Sequence, residues 1–267
     1  MKTVYIVPWW DCNLRCPHCF IPHDAYKMDS TKLLKELSNL EDCHCVLFGG
    51  EPLLHPIILK EILNSGKINS ISTNMLLWED SFNINNNISI ATSWNPTRFT
   101  EEQRSVWKNN IKKATRKGHD VMLLITLDEL LLKEDPLSIC YLLSELEQVG
   151  VTSFQFEPYI GEQELHLQAD DWLCEFYSWW IKQSKYDHDS NIHCTTFDKV
   201  KEGWFHDCSN VRTLEPEGNL RQGCPNLVGA PHTLLCCMDC GQSSHCKPCC
   251  CLKQCSYPHK LAKLIMS

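Results

Sequence analysis

The sequence predicts an α/β fold: a partial (β/α)6 barrel over residues 1–188, followed by a small, irregular, cysteine-rich domain over residues 189–267. Three observations carry this expectation. Short β-rich runs alternate with amphipathic helical patterns as far as about residue 186, the mark of a parallel sheet with crossover helices. The chain supplies six such strands, too few for a full eight-stranded TIM barrel, so the sheet is TIM-like but incomplete. Beyond about residue 190 the long apolar periodicity stops and cysteines crowd in.

Taken in order, Thr3–Val7 reads as the first strand, and the pattern that follows puts Leu33, Leu37 and Leu40 on one helical face behind a Ser30 or Thr31 cap. Cys45–Gly50 is the second strand, and the helix around "PIILKEILNSG" can close at Gly66. Ile68–Asn74 and Ile88–Trp94 are the next two strands. Thr100-x-x-Gln103 is a capping box and opens a helix that ends at Gly118. Val121–Leu127 reads as a buried strand, "DPLSICYLLSELEQVG" as a helix and Thr152–Ile160 as the sixth strand. Asp170–Gln183 closes the series as a helix whose aromatic face is read as packing rather than a cofactor surface.

With 267 residues, 43% hydrophobic and 22% charged, the chain can bury a full core, so disorder is not the default. A net charge of -8 argues against general nucleic-acid binding, which depends on clustered Lys and Arg. The run Lys108–His119 is basic, but flanking Glu101, Glu102 and Gln103 make it a solvated helix face. The N-terminal apolar stretch contains Pro8 and ends at Asp11 without a small-residue cleavage site, unlike a secretory signal. Val121–Leu127 is stopped by Asp128 and Glu129, far short of the roughly 20 residues of a membrane span. The expected compartment is therefore the cytoplasm, where 18 cysteines point to metal or redox chemistry more than to disulfides.

In such a sheet the chemistry sits at the C-terminal ends of the strands. Directly after the first strand comes Cys12-x3-Cys16-x2-Cys19. Three thiolates on one tight loop can hold three corners of a [4Fe–4S] cube and leave the fourth iron for another ligand, whereas a structural zinc site wants four closed ligands. His18 and His23 are possible fourth ligands for zinc, but His18 sits inside the loop. At the end of the second strand, Gly49-Gly50-Glu51-Pro52 offers two glycines that let backbone approach a ligand and a carboxylate that can accept from an amine. Alone, that motif is an ordinary strand-to-helix turn.

Together the two motifs resemble the radical S-adenosylmethionine (radical SAM) superfamily, over the order of elements from Met1 to about Ile160. The resemblance implies that Cys12, Cys16 and Cys19 ligate a [4Fe–4S] cluster whose open iron takes the SAM amino and carboxylate groups. It implies that Gly49, Gly50, Glu51 and Pro52 bind the SAM amino group. "ISTN" resembles the family's third-strand segment and "IATSWNP" its fourth, which makes Ser93 a candidate for the SAM carboxylate; Arg98 can assist but has no fixed spacing. His18 stands where many members carry an aromatic residue, a departure that touches the adenine contact rather than the cluster.

The last third holds Cys194, Cys208, Cys224, Cys236, Cys237, Cys240, Cys246, Cys249, Cys250, Cys251 and Cys255. Cys237/Cys240 with Cys246/Cys249 is a pair of C-x2-C units, so zinc is a serious reading of this run. Beside the N-terminal motifs, however, Cys237-x2-Cys240-x5-Cys246-x3-Cys250 resembles the SPASM extension of peptide-modifying radical SAM enzymes, with Cys208, Gly218 and Cys224 as its upstream element. One residue more than usual separates that glycine from Cys224. The resemblance implies one or two auxiliary [4Fe–4S] clusters, with Cys237, Cys240, Cys246 and Cys255 on one and Cys208, Cys224 and Cys250 on the other. Cys194 either completes the latter or leaves an open iron, and Cys236, Cys249 and Cys251 are surplus. Cys43, Cys45, Cys140 and Cys174 fall on expected strands and helices and read as small buried hydrophobes.

The resemblance implies an enzyme that cleaves SAM to a 5′-deoxyadenosyl radical and abstracts hydrogen from a substrate C–H bond. The favoured substrate is a ribosomally made peptide, modified by a crosslink, thioether or oxidation, with an external electron donor such as flavodoxin or ferredoxin. Leader recognition is expected from a separate protein or not at all, because the chain starts on its first strand. The alternatives are a radical SAM dehydrogenase of a small molecule and, from another class, a non-catalytic zinc or iron–sulfur protein. Sulfatase-type maturation ranks lower, since Pro225 follows Cys224 where those enzymes place an acidic base.

Overall fold

The structure, a computed structural model, describes residues 2–17, 19, 21, 30–82, 84–85, 88–158, 171–180, 192–195, 211–216 and 218–222. Its centre is a parallel sheet whose first six strands stand side by side in chain order: β1 (Lys2–Ile6), β2 (Cys43–Leu47), β3 (Ile68–Thr73), β4 (Ser89–Trp94), β5 (Val121–Leu127) and β6 (Ser153–Pro158). Each new strand is laid beside the previous one by a crossover, as parallel pairing requires. The helices α1 (Ser30–Ser38), α2 (Pro56–Asn64), α3 (Glu101–Arg116) and α4 (Pro136–Gln148) serve four of the five crossovers. Between β3 and β4 the described residues contain only a 3-10 turn, Asp80–Phe82.

The α/β fold expected from the sequence is thus observed, and the sheet is wider than six strands. Parallel β7 (His193–Cys194) extends it beside β6, and parallel β8 (Val211–Leu214) lies on the far side of β1. β9 (Leu220–Gln222) then pairs antiparallel with β8, giving a nine-stranded order β7-β6-β5-β4-β3-β2-β1-β8-β9. These edge strands are two to four residues long and sit at positions that lack a strand-like apolar run. Register with an existing strand, rather than local propensity, accounts for them.

Local chemistry sets the helix ends. Thr100 and Gln103 form the reciprocal capping box, and Asp135 caps α4 through Leu137 N with Pro136 at the first helical position. α1 already includes Ser30, so neither hydroxyl residue read as its cap lies outside the helix. Gly66, at φ +68, follows α2 in the left-handed conformation the sequence anticipates.

The core lies between the sheet and its helices. On β4, Ile90, Thr92 and Trp94 are buried, and Trp107 of α3 donates from Nε1 to Thr92 Oγ1 at 2.9 Å, so this face meets the helices. Ala91 and Ser93 face the other way and are half-buried. β5 alternates in the same manner, Val121, Leu123, Ile125 and Leu127 buried and the residues between them half-buried. It is therefore a strand with one open side rather than one buried on both. The helical stretch 171–180 packs Trp172, Phe176 and Tyr177 against Phe154 and Phe156, with Trp172 and Phe176 stacked at 5.7 Å. Its aromatic face is packing, as its sequence suggests. Among the described residues no helix is long and apolar enough to cross a membrane.

Candidate functional site

The parallel strands deliver their C-terminal ends to one edge of the sheet, and the segments that leave them carry the candidate site residues: Asp11 to Cys19 beyond β1, Gly49 to Glu51 beyond β2, Asn74 beyond β3, Asn95 beyond β4 and Asp128 beyond β5. This edge brings the two sequence motifs together.

The contact between them is backbone on backbone. Gly50 N donates to Trp9 O at 3.2 Å, Glu51 N donates to Asp11 O at 2.8 Å, and the indole Nε1 of Trp9 donates to Glu51 O at 2.8 Å. His55 Nε2 lies 3.2 Å from Asp11 Oδ2, and its ring stands edge-on to Trp9 at 4.8 Å. Both glycines are required by this approach. A Cβ on Gly49 would fall 2.6 Å from Trp9 O, and one on Gly50 would fall 2.5 Å from Trp10 O and closer still to Asp11 O. The sequence reading assigned the glycines to ligand approach; their immediate neighbour is the cysteine loop itself.

Glu51 is 1% exposed, yet its carboxylate is well served. Oε1 accepts from Thr73 Oγ1 at 2.6 Å and from Leu53 N at 3.0 Å, while Oε2 accepts from Asn74 N at 2.8 Å. A carboxylate offers about four acceptor positions, so these bonds leave one for a further donor. Burial pushes its pKa up, against the three hydrogen bonds and the positive charge of Arg98, which pull it down. Pro52 follows as the first residue of a 3-10 turn, Pro52–Leu54, that Glu51 caps.

Cys12, Cys16 and Cys19 are free, half-buried thiols. Cys12 and Cys16 pack at the margin of the main core, whereas Cys19 packs against Val7, Trp10 and Ile21. Leu14 N donates to Cys12 Sγ at 3.4 Å, and Cys19 N donates to Cys16 O at 3.0 Å, a tight turn within the loop. Burial raises the pKa of Cys12 and of Cys19, and in each case the Arg98 charge acts in the opposite direction. Among the described residues no three His, Cys, Asp or Glu side chains converge into a cage for a single ion. Three thiolates with one position left open are the donor set that a cubane would take, whereas a structural zinc site closes with four ligands.

Arg98 is the residue that sequence spacing could not place. It follows the Asn95 turn beyond β4, where Asn95 Oδ1 accepts from Thr97 N and Oγ1 and Asn95 Nδ2 donates to Thr126 O. Its Nε is buried and has no hydrogen-bond partner among the described residues, and its charge is felt by Cys12, Cys19 and Glu51 alike. Ser93 lies on the half-open face of β4, opposite in direction to Trp94. Asn74, the last residue of the "ISTN" segment, and Asn13, which no motif singles out, join the loops through their side chains at 2.7 Å.

Cys194 is buried on β7 with its sulfur 3.3 Å from the Tyr177 hydroxyl. Cys45 and Cys140 are buried as expected, and burial pushes their thiols up to about 11 and about 12; Cys43 and Cys174 are half-buried. Cys208, Cys224, Cys236, Cys237, Cys240, Cys246, Cys249, Cys250, Cys251 and Cys255, with His18 and His23, lie outside the described residues.

No family model matches the chain, and no curated protein matches it. Solved structures do. Streptococcus suis SuiB is similar at 14% identity with a TM-score of 0.64, covering 86% of this chain and 61% of SuiB. SuiB bound to its precursor peptide SuiA gives 14% identity, a TM-score of 0.62 and coverage of 86% and 60%. SuiB bound to S-adenosylmethionine gives 14% identity, a TM-score of 0.66 and coverage of 86% and 61%. The chain thus spans about 61% of the length of SuiB, and the likeness is one of fold.

Proposed function

We propose that the chain is a radical SAM enzyme that modifies a ribosomally made peptide. Cys12, Cys16 and Cys19 hold a [4Fe–4S] cluster, Gly49 to Pro52 receive the SAM amino group through Glu51, and Ser93 receives its carboxylate. The observation that carries this reading is the buried Glu51 carboxylate, which is held by Thr73, Leu53 and Asn74 with one acceptor position left, on a Gly50–Glu51 backbone bonded to Trp9 and Asp11 at the entrance of the three-cysteine loop. When bound and reduced by one electron, the cluster and SAM supply methionine and a 5′-deoxyadenosyl radical, which takes a hydrogen atom from a substrate C–H bond. An auxiliary cluster would supply an acceptor for the second electron, so that, with a proton released to solvent, each event would remove two hydrogens from the substrate. The auxiliary clusters belong to Cys208, Cys224, Cys237, Cys240, Cys246, Cys250 and Cys255. Support for SAM and for a peptide comes from SuiB, whose fold this chain shares and which is solved with each of them. The proposed iron–sulfur chemistry fits a cytoplasmic protein served by an external electron donor such as a flavodoxin or ferredoxin.

Anaerobic reconstitution tests the reading. The wild-type protein should take up about eight to twelve iron atoms per chain, as two or three cubanes, and release 5′-deoxyadenosine under reductant. Replacing Cys12, Cys16 and Cys19 together by Ala should remove about four iron atoms and abolish 5′-deoxyadenosine while the remaining clusters stay bound. Continued SAM cleavage by that variant, or stoichiometric zinc without iron in the wild type, would refute it.

A further inference from the structure

We infer that Asn74 is a positioning residue that couples the Glu51 loop to the Cys12 loop, with Asn13 as its partner; the inference rests on the radical SAM reading of those loops. The two loops leave different strands, and SAM bound between them depends on the distance that separates them. Asn74, at the end of β3, touches both. Its backbone N donates to Glu51 Oε2 at 2.8 Å, and its side-chain Nδ2 donates to Asn13 Oδ1 at 2.7 Å. Its remaining side-chain atom, Oδ1, accepts from Leu76 N at 3.0 Å and fixes its own turn. At 2% exposure, the residue has each of these polar groups committed to a different structural task.

The neighbouring residues hold this arrangement rigid. Thr73 Oγ1 donates to Glu51 Oε1 and accepts from Met75 N at 3.0 Å. Met75 is fully buried with φ +62, a left-handed conformation that costs a non-glycine residue free energy, and Asn110 Nδ2 holds its carbonyl at 2.8 Å. Strained backbone persists only where its surroundings over-determine it. On the far side of the bridge, Asn13 Oδ1 lies 3.9 Å from Cys12 Sγ. A path of contacts therefore runs from Glu51, the proposed acceptor of the SAM amino group, to the first cysteine.

A purely local role for Asn74 as a turn residue predicts that Asn13, which is exposed, can be changed without consequence. Coupling predicts otherwise. The full chain is reconstituted anaerobically as wild type, Asn13→Ala, Asn74→Ala, the double variant and Asn13→Asp. Iron and sulfide per chain, the SAM dissociation constant by equilibrium dialysis, and the electron paramagnetic resonance spectrum of the reduced protein with and without SAM are measured. Each Ala variant should keep its iron, bind SAM about tenfold more weakly and show an altered spectral response to SAM, because a buried donor or its acceptor is left unmatched. The double variant should bind SAM no more weakly than the weaker single variant, since the two side chains act as one interaction. Asn13→Asp keeps an acceptor oxygen and should stay within about threefold of wild type. Asn13→Ala indistinguishable from wild type, additive losses in the double variant, loss of iron from Asn13→Ala, or Asn13→Asp as weak as Asn13→Ala would each overturn the coupling while leaving the enzyme reading intact. Wild-type protein that holds no cluster and binds no SAM would overturn both.

Discussion

Replacing Gly50 by Ala tests whether the Gly-Gly pair exists for the contact between the two loops. The new methyl group would stand 2.5 Å from Trp10 O and closer to Asp11 O, and both are backbone atoms that cannot rotate away. Trp10 O alone must retreat by about 0.5 Å to reach 3.0 Å, the limit below which real Cβ contacts are essentially absent. That movement pulls on Gly50 N to Trp9 O, Glu51 N to Asp11 O and Trp9 Nε1 to Glu51 O, at 3.2, 2.8 and 2.8 Å. Overpacking costs about 1–3 kcal/mol and each of the three weakened hydrogen bonds about 1 kcal/mol, so the expected loss is about 4–6 kcal/mol. Gly66 supplies the control. It is left-handed at φ +68 but a Cβ there meets nothing within 4 Å, so Gly66→Ala should cost only the backbone term, about 1–2 kcal/mol. Urea unfolding of the reduced apoprotein, followed by circular dichroism, reads both values. If Gly50→Ala cost no more than Gly66→Ala, the loop-to-loop account of Gly50 would be wrong.

Two further predictions concern charge. Removing Arg98 as Arg98→Ala should raise the pKa of Cys12 and Cys19 beyond the rise that burial already causes, while Arg98→Lys should preserve the wild-type profile. The pH dependence of alkylation of the apoprotein, resolved by peptide mass, measures this, and an unchanged profile in Arg98→Ala would refute it. Glu51 and His119 should tilt stability against pH in opposite directions. The Glu51 pKa is raised by burial, so its favourable share is present below its ordinary value near 4.5 and is lost as pH rises through the folded value. The His119 pKa is lowered by burial, so its share is present above its ordinary value near 6.5 and is lost as pH falls. Unfolding free energies across this range should change slope in Glu51→Gln and His119→Gln relative to wild type, and identical slopes would count against the two shifts.

Elements with strong local signals were legible in the sequence. Val121–Leu127 forms a strand over the residues expected, and Thr100 with Gln103 forms the capping box, because a continuous apolar run and a reciprocal side-chain pair need little from the rest of the chain. The second strand shows where local signals mislead. The apolar run suggested Cys45–Gly50, whereas the strand occupies Cys43–Leu47, since Gly49 at φ +136 turns the chain toward the cysteine loop. Strands β7, β8 and β9 carried no signal, for their formation depends on edges offered by β6 and β1. The two site motifs could be read because each is contiguous. Asn13 and Asn74 are 61 residues apart and meet because β1, β2 and β3 are parallel and deliver their C-terminal ends to one edge, which no short-range pattern records.

That common edge explains how the site is organised before any cofactor arrives. In a parallel sheet each strand end is held at a fixed height by its ladder with the next, so polar residues at the strand ends and on the loops that leave them meet counterparts from neighbouring strands. Here the pairs are Asp11 with His55, Asn13 with Asn74, Thr73 with Glu51, and Asn95 with the carbonyl of Thr126. A one-residue slip between β2 and β3 would move Thr73 to the opposite face and part it from Glu51. The irregularity between Cys45 and Val46 lies in that ladder, and Val46 pairs with Ser70 beyond it, so the bulge sets the register on which the Glu51 bonds depend. Preorganisation of the edge is thus a property of strand register, and the buried carboxylate is its most demanding consequence: without the Thr73 hydroxyl and the Leu53 and Asn74 amides in place, burial would leave Glu51 uncompensated.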